Sequence, residues 1–171
     1  CTRKELIRLG RVADPKLSED EGAMKYGANQ FKVNFAELRD VIGESDWAKR
    51  NVLIAVAGGA TDGTSGVRAA ADHTVREEIE RFAHSIFASS PAQREFWLGE
   101  RSMNADQLRQ RFHGLKPCLH GSDAHRLDEV GAPDGNRFSW VKGRPTFDAL
   151  RQAFIDPAER AYVGVEPPGR A

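Results

Sequence analysis

Lys116-Pro117-Cys118-Leu119-His120-Gly121-Ser122-Asp123-Ala124-His125 is the stretch on which the reading of this chain turns. Its first half, Lys116 to His120, reads as a short buried strand. Its second half leaves that strand through Gly121, where the backbone is free to turn. Asp123 and His125 are two residues apart, so an extended chain sends both side chains to the same side. A carboxylate and an imidazole projecting together suit a divalent transition metal. Small Ser122 and Ala124 leave room around them.

A second apolar run, Val52-Leu53-Ile54-Ala55-Val56-Ala57, has the length and β-branching of a strand buried on both faces, as in parallel sheets. It runs into the glycine-rich loop Gly58 to Gly66. Arg137 to Lys142 alternates as a strand, after the turn Asp134-Gly135-Asn136. Ala161 to Gly164 reads as a last short one.

Helix-start signals fill the spaces between. Thr2 to Glu5 is a capping box, followed by Leu6, Ile7 and Leu9, with Gly10 as the stop. Residues 11–33 read as a loop-rich stretch. Asn34 opens a short helix that stops at Gly43. Thr74 and Glu77 form another capping box, with Val75, Ile79, Phe82 and Ile86 on one helical face. Ser90-Pro91 starts a helix, as does Asn104 with Gln107 three residues on. Leu108 and Phe112 point inward there. Thr146 caps a helix that Asp156-Pro157 ends. Strands alternating with more numerous helices predict an α/β fold with largely parallel strands.

The chain has 171 residues, enough for one domain with a sizeable core. Its 25 Lys and Arg balance its 25 Asp and Glu, so no global field draws it to nucleic acid or membrane. No apolar run has membrane-spanning length and no signal-peptide pattern is seen. Cys1 and Cys118 are the only cysteines, which is no disulfide framework and fits a reducing cytosol. The expected location is therefore cytoplasmic. The chain begins at Cys1 within a helical pattern and closes on a short tail at residues 169–171, so a piece of a larger protein is expected.

Each candidate residue has an ordinary alternative. Asp123 could cap a backbone amide in a turn, with His125 on the surface; their place at the carboxyl end of a strand favours the ligand reading. His120 is either a strand-end histidine bonded to backbone or a partner that orients a carboxylate or phosphate. The loop from Gly58 to Gly66 lacks the lysine of a Walker loop, because Gly63 precedes Thr64. It reads as a strand-to-helix connection, with backbone amides that could cradle an anion. Lys142 and Arg144 follow a strand bearing Phe138 and Trp140, and are candidates for holding a substrate phosphate or simply a solvated turn. His84 is expected on the solvent side of a helix, and Arg94-Glu95-Phe96-Trp97 to supply packing and a surface ion pair.

Together these residues resemble a family. Lys116 to His125 looks like the last metal-binding motif of PHP (polymerase and histidinol phosphatase) domains, and most closely that of the TrlF-type branch, in which the domain is fused to an AAA/SMC-like ATPase. Leu53 to Ala57 with Asp62 to Gly66, Gln93 to Gly99, Arg137 to Lys142 with Pro145 to Phe147, and Asp156 to Arg160 are similar to that branch too. The resemblance covers residues 1–168. It implies the C-terminal part of a distorted (β/α)7 barrel, helix-rich and incomplete in this piece. It implies hydrolysis of phosphoesters, nucleic acid among the candidate substrates, with Mn, Zn or Fe ions activating water. Asp123 and His125 are then the metal ligands, and His120 belongs to the catalytic motif. An ATPase domain of the same parent chain is the implied partner. The His-x-His motif that opens PHP domains is absent, since no two histidines here are separated by one residue. It is expected before Cys1, which would leave this piece inactive alone. The competing reading is a regulatory or nucleic-acid-binding module without catalysis.

Overall fold

The computed structural model describes residues 2–30, 33–58, 73–88 and 90–169. The glycine loop after residue 58 lies outside them. About 54% of the described residues are helical, and the fold is mixed α/β. The chain divides into two compact units, Cys1–Arg50 and Asn51–Ala171.

The first unit is helical: α1 (Arg3–Ala13), α2 (Asp20–Gln30), α3 (Phe35–Glu44) and α4 (Asp46–Asn51). Thr2 and Glu5 form the expected capping box: the Glu5 N–H donates to Thr2 Oγ1 at 3.3 Å and the Thr2 N–H to Glu5 Oε2 at 2.8 Å. Asn34 caps α3 by accepting the Ala36 N–H at 2.9 Å. Two expectations are corrected. α1 runs through Gly10, and the stretch 11–33 holds an eleven-residue helix rather than a loop. The reason lies in tertiary contact. A Cβ at Gly10 would collide with the Ala23 carbonyl, and one at Gly27 with the Leu6 carbonyl. These glycines let the α1 and α2 backbones touch, so packing overrides glycine's weak helix propensity.

The second unit is built on a three-stranded parallel sheet of β1 (Ala55–Ala57), β2 (Ser85–Phe87) and β3 (Cys118–Leu119), in that order. Ile86 therefore sits at the centre of a sheet and not on a helix face: α5 (His73–Phe82) ends four residues earlier. β1 is shorter than the run Val52 to Ala57 predicts and is the outer strand, with Ala55 exposed. A run buried on both faces would need a packed layer over each face of the sheet.

α6 (Pro91–Trp97) and α7 (Ala105–Phe112) lie between β2 and β3 in sequence and supply the core. Ile86, Ala88, Trp97, Leu108, Phe112 and Cys118 are all buried together. Trp97 meets Phe112 edge-on at 4.9 Å and Phe96 at 5.2 Å, geometry that satisfies the ring quadrupoles. Both predicted caps hold: Ser90 accepts the Gln93 N–H, and Asn104 exchanges bonds with Gln107. Burial pushes the Cys118 thiol up to about 12, which keeps it protonated and inert.

β4 (Phe138–Val141) and β5 (Ala161–Gly164) form a separate antiparallel pair, joined through α8 (Phe147–Ile155) and α9 (Pro157–Arg160). Thr146 caps α8 as predicted, accepting the Ala149 N–H at 3.2 Å. Among the described residues the strands make no closed barrel, and no helix is long and apolar enough to cross a membrane.

Candidate functional site

β1, β2 and β3 run parallel, so their carboxyl ends share one edge. Ladder bonds carry the register to that edge: the Gly58 N–H donates to Phe87 O at 2.8 Å, and the Ala88 N–H to Leu119 O at 2.9 Å. Loops leaving such an edge are where α/β folds collect ligands. Gly121 to His125 leaves β3 there.

His120 is fixed on two sides. Its N–H donates to Ser139 Oγ at 2.7 Å, and the same hydroxyl donates to His120 O at 3.0 Å. Its ring Nε2 lies 3.2 Å from the Asp134 carbonyl oxygen, which requires the proton on Nε2. That bond occupies Nε2 and leaves Nδ1 as the acceptor nitrogen.

Asp123 is exposed and adopts φ of 47°, in the left-handed region. Asp tolerates that region better than most residues. The consequence corrects the spacing argument, since alternation of side chains holds only along an extended chain. His125 is exposed too, and its N–H donates to Glu129 Oε2 at 3.1 Å. Asp128 is engaged by Arg126 at 2.9 Å. Among the described residues no group of three or more His, Cys, Asp or Glu side chains is placed to hold a metal ion. Asp123 and His125 thus fall short of the ligand count that zinc or a harder cation needs.

Comparison with protein-family models, with curated proteins and with solved structures gives no match.

Lys142 sits away from His120. Lys142 lies three residues beyond Ser139, about 10 Å further along at the usual strand rise. It borders a cavity of about 690 Å³ that Arg94, Trp140, Arg160 and Tyr162 also line. Arg144 is not among the lining residues; its carbonyl accepts the Thr146 N–H at 2.7 Å.

Two other polar residues escape a reading by spacing. His84 is exposed, as expected, but it is in the turn before β2 and not on a helix, and its Nδ1 accepts the Ile54 N–H at 3.0 Å. Burial first, then the charges of Lys116 and Arg151, holds its pKa below 6.5. Lys116 is only 5% exposed and its Nζ donates to the Ala83 carbonyl. Desolvation lowers it to about 8, against the raising influence of Glu80. The surface pair near Trp97 is Glu95 with Arg101, at 2.7 Å, and Arg94 is left for other work.

Proposed function

We propose that this chain is the C-terminal portion of a PHP-like barrel, belonging to a metal-dependent phosphoesterase or nuclease linked to an ATPase. One observation supports this most: Gly121 to His125 leaves a parallel strand at the carboxyl edge of an α/β sheet, where that family's last ligand motif stands. Asp123 and His125 supply two ligands to a divalent ion, Mn, Zn or Fe. The other ligands come from outside the described residues, because these alone do not complete a site. His120 serves as a positioning residue, its ring held by Asp134 and its backbone by Ser139. The substrate is a phosphoester.

The test is hydrolysis of p-nitrophenyl phosphate mono- and diesters by the full-length protein with Mn²⁺. Asp123→Ala and His125→Ala should each lower the rate by more than the roughly 10–100-fold that loss of an outer partner costs. Rates equal to wild type would sink the assignment.

A second reading, a regulatory or nucleic-acid-binding module without catalysis, draws on the left-handed turn at Asp123, which removes the same-side placement of Asp123 and His125 that spacing implies. A full-length protein that retains no metal and turns over no phosphoester would leave that reading standing.

A further inference from the structure

The cavity beside Lys142 is separate from the strand-edge motif, and its chemistry is specific. α6 contributes Arg94, β4 and the residue after it contribute Trp140 and Lys142, and α9 with β5 contributes Arg160 and Tyr162. Trp140 and Tyr162 are register partners across the β4–β5 pair, so both rings stand on one face. The indole N–H is already satisfied by the Gly164 carbonyl at 2.9 Å, which fixes the ring plane. Arg94 lies over the Tyr162 ring at 5.1 Å, a cation–π contact that holds the guanidinium at the cavity. The Lys142 N–H donates to the Arg160 carbonyl at 2.8 Å, which ties the two cationic segments together.

The charges are unbalanced. Arg94, Lys142 and Arg160 face the cavity with the carboxylate of Glu159 as their one opposing charge in the lining. Among the described residues neither the Arg94 nor the Lys142 side chain is ion-paired. Arg160 reaches Asp156 at only 3.8 Å. A volume of about 690 Å³ falls within the usual range for small-molecule sites. The Trp140 ring beside the cations Arg94 and Lys142 matches one ligand chemistry, a planar ring carrying a phosphate.

We propose that this cavity binds a nucleoside phosphate, the base against Trp140 and the phosphate against Arg94, Lys142 and Arg160. The site requires no metal, and so stands or falls apart from the phosphoesterase reading.

Calorimetric titration in EDTA tests it, with AMP, adenosine, inorganic phosphate and a short single-stranded oligonucleotide as probes. AMP is expected to bind more tightly than adenosine or phosphate. Lys142→Ala should weaken it about tenfold, the usual value of one charge-assisted bond. Arg160→Gln should act alike, Trp140→Leu should weaken it, and Trp140→Phe should restore most of the affinity. Arg144→Ala, outside the lining, should leave it unchanged. The same variant pattern with the oligonucleotide but not AMP supports the site with nucleic acid as the source. Absence of binding by both overturns the proposal, as does phosphate binding as tightly as AMP. An affinity indifferent to Lys142→Ala and Arg160→Gln, both at exposed or half-buried positions where folding is tolerant, overturns it too.

Discussion

Ser139 and His120 exchange two hydrogen bonds: the His120 N–H to Ser139 Oγ at 2.7 Å, and Ser139 Oγ–H back to His120 O at 3.0 Å. One hydroxyl thus closes both backbone groups at the end of β3 and links that strand to β4. Ser139→Ala strands a partly buried donor and acceptor at once. We expect a loss of about 1–3 kcal/mol, read as a lower urea midpoint with unchanged slope. An unchanged midpoint would show that water replaces the hydroxyl freely.

His84 makes stability pH-dependent. Its folded pKa lies below the ordinary 6.5, because burial and the charges of Lys116 and Arg151 disfavour the imidazolium, and only neutral Nδ1 can accept the Ile54 N–H. The unfolded chain therefore takes up the proton first as pH falls. The stabilisation is complete above about pH 6.5 and is lost on acidification through the lower folded value. His84→Asn keeps an acceptor and cannot titrate. Its melting temperature should gain on wild type between pH 7.5 and 5; a constant gap would contradict this.

Lys116 acts at the other end of the scale. Its folded pKa is about 8 against an ordinary 10.5, so between these values the unfolded state binds more protons. Stability then rises with pH across that window. Comparison with Lys116→Met isolates the effect, since the remaining lysines and tyrosines cancel. Wild type should gain on the variant from pH 7.5 to 10. Parallel curves would mean that the ammonium is not desolvated.

Much of the local structure was legible because its causes are local. Thr2 with Glu5, Ser90 ahead of Pro91, and Asn104 with Gln107 cap helices through contacts three residues apart, and each was readable from spacing. β2 was not. Ile86 stands four residues after Phe82, so it matches a helical face; its strand is three residues long and gives no period of its own. α2 was hidden because Gly22 and Gly27 weaken its pattern, and Gly27 is there for a contact with Leu6 far away in sequence. At the site, the strand-end position of Asp123 and His125 was legible, but the left-handed turn at Asp123 was not. The grouping of Trp140 with Tyr162 depends on the β4–β5 register, and that of Arg94 with Tyr162 on a contact between α6 and β5; spacing along the chain encodes neither.

Everything proposed for Gly121 to His125 rests on Asp123 and His125 holding a metal ion. Metal content of the full-length protein, measured by mass spectrometry after purification without chelator, tests it most directly. Wild type is expected to hold a near-stoichiometric content of Mn, Zn or Fe, and the Asp123→Ala/His125→Ala double variant to lose it with folding retained. Equal metal content in the two proteins, or none in either, would contradict it.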